Sequence, residues 1–128
     1  MRVAVPIWER RVSPVFDSAL RVLIAEIKDK QVISRFIIPF KEGYPLRRAS
    51  LLNRWEIDAL ICGGISSYLA RLIVARGIKL IPGIRGDVDK VLEAYRQGDI
   101  PSTQYMMPGW RGWSPEKYTG RIFNVNGK

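Results

Sequence analysis

The run Asp58-Ala59-Leu60-Ile61-Cys62 is almost wholly apolar and stops on Gly63-Gly64. A run so short and so apolar predicts a central strand covered on both faces, the kind found in a parallel sheet with helices above and below. The flanking sequence supplies those helices. After a Pro39 to Pro45 loop, Leu46, Ala49, Leu52 and Trp55 fall at helical spacing, leaving Arg47, Arg48 and Arg54 for the polar side. Following the glycines, Ser66 is placed to cap a second helix through Leu69, Leu72, Ile73 and Arg76, with Gly77 as its stop in the left-handed position. Asp87 provides the N-cap of a third helix, Asp89 complements its dipole, and Val88, Val91, Leu92 and Tyr95 mark its buried face up to Gly98.

The remaining strands follow from β-branched runs. Residues 2–8, with Pro6 late in the run, read as a strand irregular at its end. Residues 20–28 and 31–38 flank Asp29-Lys30 as a two-stranded hairpin, and residues 78–81 make the fifth strand. The predicted order of elements is βββαβαβα. Right-handed crossovers then give an α/β fold with a five-stranded mixed sheet, order three-two-one-four-five, and three helices covering both faces. Residues 1–98 form the expected single α/β domain. Residues 99–128, rich in Pro, Gly and Trp, read as an irregular C-terminal arm packed on the domain or on a partner subunit, with one short strand over 121–125.

Composition narrows the chemistry. Among 128 residues there is no histidine, which removes Ser-His-Asp and Cys-His nucleophile pairs, imidazole acid-base chemistry and Cys/His zinc sites. The single Cys62 excludes an intramolecular disulfide framework and points to the reducing cytoplasm. One thiol per chain is also too few for a self-contained iron-sulfur site, which takes about four. No apolar stretch reaches the roughly 18 to 20 residues needed to span a bilayer, so no membrane partner is expected. A net charge of +9, from 21 Lys and Arg against 12 Asp and Glu, favours anionic partners.

In such a sheet a ligand sits beyond the carboxyl ends of the parallel strands, where crossovers diverge to opposite faces. Loops 9–18, 62–67 and 82–87 arrive there. Gly63 and Gly64 would let backbone amides approach an anion at a helix start with Ser66, although the spacing matches neither a dinucleotide fingerprint nor a P-loop. Cys62, where a strand meets a helix start, is the candidate soft metal ligand, with a buried core residue as the competing reading. Arg10, Arg11 and Arg85 could offer forked donors to an anion.

Five motifs in order carry a resemblance. They are Arg11-Val12-Ser13-Pro14-Val15-Phe16-Asp17, Ile61-Cys62-Gly63-Gly64-Ile65-Ser66, Gly77-Ile78 into Ile81-Pro82, Gly86-Asp87-Val88, and Met107-Pro108-Gly109. Together they resemble the dinitrogenase iron-molybdenum cofactor biosynthesis family, the NifX-like domains, from Met1 to about Gly109. The resemblance implies a ribonuclease-H-like fold and the binding or carriage of an iron-molybdenum cofactor or its iron-sulfur precursor, a role tied to nitrogen fixation in some members. It adds Ser13 to the candidate cofactor-binding residues Arg10, Arg11, Cys62, Gly63, Gly64, Ser66 and Arg85. Where members resembling this chain often carry cysteine after Met-Pro-Gly, this one has Trp110.

The expected function is therefore non-catalytic binding, carriage or sensing of a labile, anionic metallocluster or small anionic ligand. One thiol per chain suits a site shared across a homodimer, and carriage suits a protein partner in cluster transfer. The alternative is a nucleic-acid or protein interaction module built on the basic, aromatic arm, with nucleic acid the less favoured partner. A nuclease would need carboxylates on the first strand, which has none; Asp17, Asp58 and Asp87 read as loop, strand-start and cap residues.

Overall fold

The computed structural model describes residues 1–110 apart from 42 and 101. Four strands come first: β1 (Arg2–Trp8), β2 (Arg11–Val12), β3 (Arg21–Lys28) and β4 (Gln31–Pro39). Then α1 (Pro45–Arg54), β5 (Ala59–Ile61), α2 (Ser67–Ala75), β6 (Lys79–Ile81) and α3 (Val88–Arg96) alternate. The sheet runs β4-β3-β1-β5-β6, with β2 a short hairpin partner of β1. β1, β5 and β6 are parallel, β3 is antiparallel to β1, and β4 is antiparallel to β3. The fold is mixed α/β with three helices, the class the sequence predicts. β2 and a one-turn 3-10 helix at Phe16–Ser18 are structure within what reads as a loop.

Strand parity builds two cores. Ala4, Val22, Ile24, Leu60 and Leu80 pack against Ala49 and Leu52 of α1 and Leu69, Ala70 and Ile73 of α2. The alternate residues Val3, Val5, Leu23, Ala25, Ala59, Ile61 and Ile81 join Val88, Val91 and Leu92 of α3. The helix signals hold at atomic level. Ser66 Oγ accepts from the Leu69 amide at 3.2 Å, and Asp87 Oδ1 accepts from the Asp89 and Lys90 amides at 2.9 and 3.2 Å. Gly77 adopts φ +79°, the left-handed stop. The β3–β4 turn places Asp29 and Lys30 at φ +53° and +63°, the two-residue geometry that matches strand twist.

Helix α1 departs from its expected polarity. Leu46 is exposed while Arg48 is buried, only 2% of its surface reaching solvent. Its Nη1 donates to the carbonyl oxygens of Phe16 at 3.0 Å and Ala19 at 2.8 Å, and the guanidinium lies over the Phe16 and Phe40 rings at 5.6 and 5.2 Å. These carbonyls and rings recruit the arginine inward; nothing local in the helix announces them. Burial pulls the Arg48 pKa below its ordinary value, against the opposing pull of Asp17.

The start of the arm lies on the domain. A 3-10 turn at Thr103–Tyr105 leads to Met106, which bridges antiparallel to Ile84. The Arg85 amide donates to the Tyr105 carbonyl at 2.7 Å and the Met107 amide to the Gly83 carbonyl at 2.6 Å. The strand expected over 121–125 falls outside the described residues, as does the arm beyond 110. Among the described residues no helix is long and apolar enough to cross a membrane.

Candidate functional site

Loops 9–18, 62–67 and 82–87 meet at the carboxyl ends of β1, β5 and β6, but the chain itself consumes much of the expected anion cradle. The Gly64 amide donates to the Pro14 carbonyl at 2.7 Å, and the Gly64 carbonyl accepts from the Phe16 amide at 2.8 Å. A Cβ on Gly63 would lie 2.5 Å from the Ser13 carbonyl oxygen, so this glycine admits the neighbouring loop rather than a ligand. Ser13 is buried and its hydroxyl donates to the Val15 carbonyl at 3.2 Å. At the start of α2, the Ser66 amide donates to Asp17 Oδ1 at 2.8 Å. The anion this helix end attracts is the chain's own carboxylate.

Cys62 differs most from its expected place at the mouth. It is wholly buried in the cluster that includes Phe16, Leu60, Leu69 and Ile73. Parity explains this: Leu60 and Cys62 share the face that α2 covers. Burial, reinforced by Asp17, pushes the thiol far above the ordinary range, so it stays protonated. A sealed neutral thiol is neither nucleophile nor metal ligand.

Arg11 and Arg85 do come together, as walls of one groove of about 290 Å³ that Trp8, Pro14, Met107 and Pro108 also line. Backbone bonds from Val12 to Gly86 at 2.9 Å and from Val88 to Arg10 at 2.8 Å stitch the two loops into a fixed frame. Arg10 lines an adjoining depression with Glu9 and Asp87 instead. All three arginines are exposed, and among the described residues none of their guanidiniums has a hydrogen-bond or carboxylate partner. Sequence reasoning missed Trp8 as a groove residue. Its signal is its place as the last residue of β1, beyond the helices that cover the strand's centre.

A wider depression of about 690 Å³ runs along α3 and the residues after it. Of its three carboxylates, Asp89 and Glu93 are already paired with Arg35 and Arg96, and Asp99 forms no ion pair among the described residues. Among the described residues no group of three His, Cys, Asp or Glu side chains could hold a metal ion.

A family model described as dinitrogenase iron-molybdenum cofactor matches residues 1–98. The chain belongs to the dinitrogenase iron-molybdenum cofactor family. The family-matched residues include Arg11 and Arg85, whereas Met107 and Pro108 come from the segment beyond them. Solved structures share the fold. PH0822 superposes with a TM-score of 0.78 at 17% identity, over 88% of this chain and all of that one. A candidate dinitrogenase of Methanocaldococcus jannaschii gives 0.66 at 24%, over 77% and 90%. A candidate NifB protein from Thermotoga gives 0.60 at 20%, over 77% and 89%. No curated protein sequence matches the chain.

Proposed function

We propose that this protein is a non-catalytic carrier of an anionic iron-sulfur or iron-molybdenum cluster on its way to a larger assembly in the cytoplasm. On this reading the ribonuclease-H-like sheet is a binding platform, and separate donor and acceptor proteins load and unload it. One observation carries the reading: Arg11 and Arg85 line a single groove at the carboxyl ends of the parallel strands, neither with a side-chain partner of its own among the described residues. Two forked guanidiniums suit sulfide and oxygen edges of a polyanion. Cys62 has no part in this version, since its thiol is sealed. Met107 is the groove's sulfur, a weak soft contact fitting a cargo that must leave again.

Anaerobic incubation with a synthetic iron-sulfur cluster, followed by desalting and iron analysis, tests the carrier. Arg11→Glu and Arg85→Glu should each lower retained iron roughly tenfold, and salt should lower it in the parent protein. Arg54→Glu, on the exposed side of α1, should stay within about twofold of the parent. Equal losses at all three positions would reduce the binding to diffuse attraction by a basic surface.

A further inference from the structure

Trp8 lines a second surface on its other side, an apolar hollow of about 400 Å³ walled also by Pro14, Val15, Ala19, Leu20 and Arg21. Three of its large side chains stand in water: Leu20 is 67% exposed, Trp8 55% and Val15 43%. The backbone under them is held from several directions. The Phe16 amide donates to Gly64, the Phe40 amide to Leu20 at 2.7 Å, and Arg48 anchors the Phe16 and Ala19 carbonyls from beneath. A partner therefore meets a preorganised apolar surface and spends little on ordering it.

The surrounding charge is mostly positive, with the exposed Glu9 set among four arginines. Arg10, Arg11, Arg21 and Arg85 are exposed near this end of the sheet without side-chain partners among the described residues. The nearby carboxylates Asp17 and Asp87 accept from backbone amides. We propose that the hollow docks a segment of a partner protein that is apolar at its centre and acidic at its flanks. A leucine or phenylalanine of the partner enters beside Trp8, and its carboxylates meet Arg21 on one side and Arg11 on the other. Tryptophan and arginine around a small apolar depression are the composition of a binding hot spot. A nucleic-acid strand is the poorer match, because stacking of successive bases needs a row of rings and this surface offers one. The docking surface shares Trp8, Pro14 and the Arg11 side chain with the cargo groove, whereas Val15, Leu20 and Arg21 line the hollow and not the groove, so it is tested on the cargo-free chain.

The test is an NMR titration of the cargo-free full chain with the acetylated, amidated peptide Asp-Glu-Leu-Phe-Glu-Asp. Saturable shifts should centre on the Trp8 indole and the Val15 and Leu20 amides, with affinity falling at least fivefold between about 50 and 300 mM salt. Leu20→Glu should abolish them without moving the thermal midpoint, since Leu20 is mostly in water. Four results would overturn the proposal: no shifts at millimolar peptide, equal binding by the peptide with lysines in place of its acids, shifts centred on Arg54 of α1 and Arg71 of α2, or the same shifts from phosphatidylglycerol vesicles or a uridine 20-mer. Because no cluster is present, this outcome and the iron-retention result stand or fall separately.

Discussion

Gly63 stands so close to Ser13 that a Cβ on it would lie 2.5 Å from the Ser13 carbonyl oxygen and 2.7 Å from that of Pro14. Both obstacles are backbone, so they cannot swing aside. Gly63→Ala should cost about 1 to 3 kcal/mol in urea denaturation, as overpacking against fixed atoms does. Gly64→Ala meets Pro14 at 3.1 Å and should cost less. The displaced loop carries Phe16, which packs in the Cys62 cluster, so native alkylation of Cys62 should rise in Gly63→Ala and remain negligible in the parent.

Arg48 ties α1 to the Phe16–Ala19 segment through two carbonyls at 3.0 and 2.8 Å. Arg48→Met keeps an apolar stem between Phe16 and Phe40 but removes the donor to the Ala19 carbonyl, while the Phe16 carbonyl still accepts from the Ala19 amide at 3.1 Å. It should destabilise by about 1 to 3 kcal/mol, the cost of one buried acceptor left unmet. Arg48→Lys supplies charge without the fork and should fall between the parent and methionine variants. Denaturant midpoints at constant slope would check the order.

The raised Cys62 pKa makes stability depend on pH in one direction. A thiol that ionises later in the folded protein than in the unfolded chain stabilises fully at low pH and loses that contribution as pH climbs past the ordinary thiol range near 8.5. Above that point the unfolded chain sheds a proton that the folded one keeps. The parent should therefore lose up to about 1.4 kcal/mol per pH unit relative to Cys62→Ala. Tyr95, raised by burial and by Asp58, titrates in both proteins and drops out of the difference. Paired urea curves between pH 7 and about 10.5 measure the gap; parallel curves would mean the thiol is not sealed. Retained iron should be unaffected by Cys62→Ala.

Shortening the chain distinguishes the family-matched core from the segment laid on it. A protein ending at Gly98 loses the bonds from Arg85 to Tyr105 and from Met107 to Gly83, and one wall of the groove. It should fold with a lower melting temperature and hold less iron than a protein ending at Trp110. Identical values for both would show that 99–110 contributes nothing to the site.

The helix ends were legible because each is a local event: Ser66 and Asp87 bond amides two or three residues on, and Gly77 turns left within its own residue. The hairpin at Asp29-Lys30 was legible for the same reason. Arg48 was not, since its partners Phe16 and Ala19 are about thirty residues away and no pattern within α1 refers to them. The site divided along the same line. Exposed Arg11 and Arg85 were candidates by charge and loop position, and they share a groove. Gly63, Gly64 and Ser66 look open to a ligand in the sequence, but they face Ser13, Pro14, Phe16 and Asp17, a loop whose approach depends on the tertiary fold. Cys62 was within reach of parity, because a residue two beyond buried Leu60 lies on the same covered face.

The antiparallel bridge between Ile84 and Met106 joins the domain to a piece of chain beyond the residues that the family model matches. On the carrier reading, the groove's arginines and its sulfur-bearing wall are thus encoded in different stretches of sequence. The Met107–Pro108 wall can change its sulfur content or its aromatic neighbours without any revision of the sheet, so long as its backbone keeps the bonds that hold the Arg85 loop. On that reading, a graft of foreign residues at 102–110 onto an unaltered 1–98 should change how much iron the groove retains.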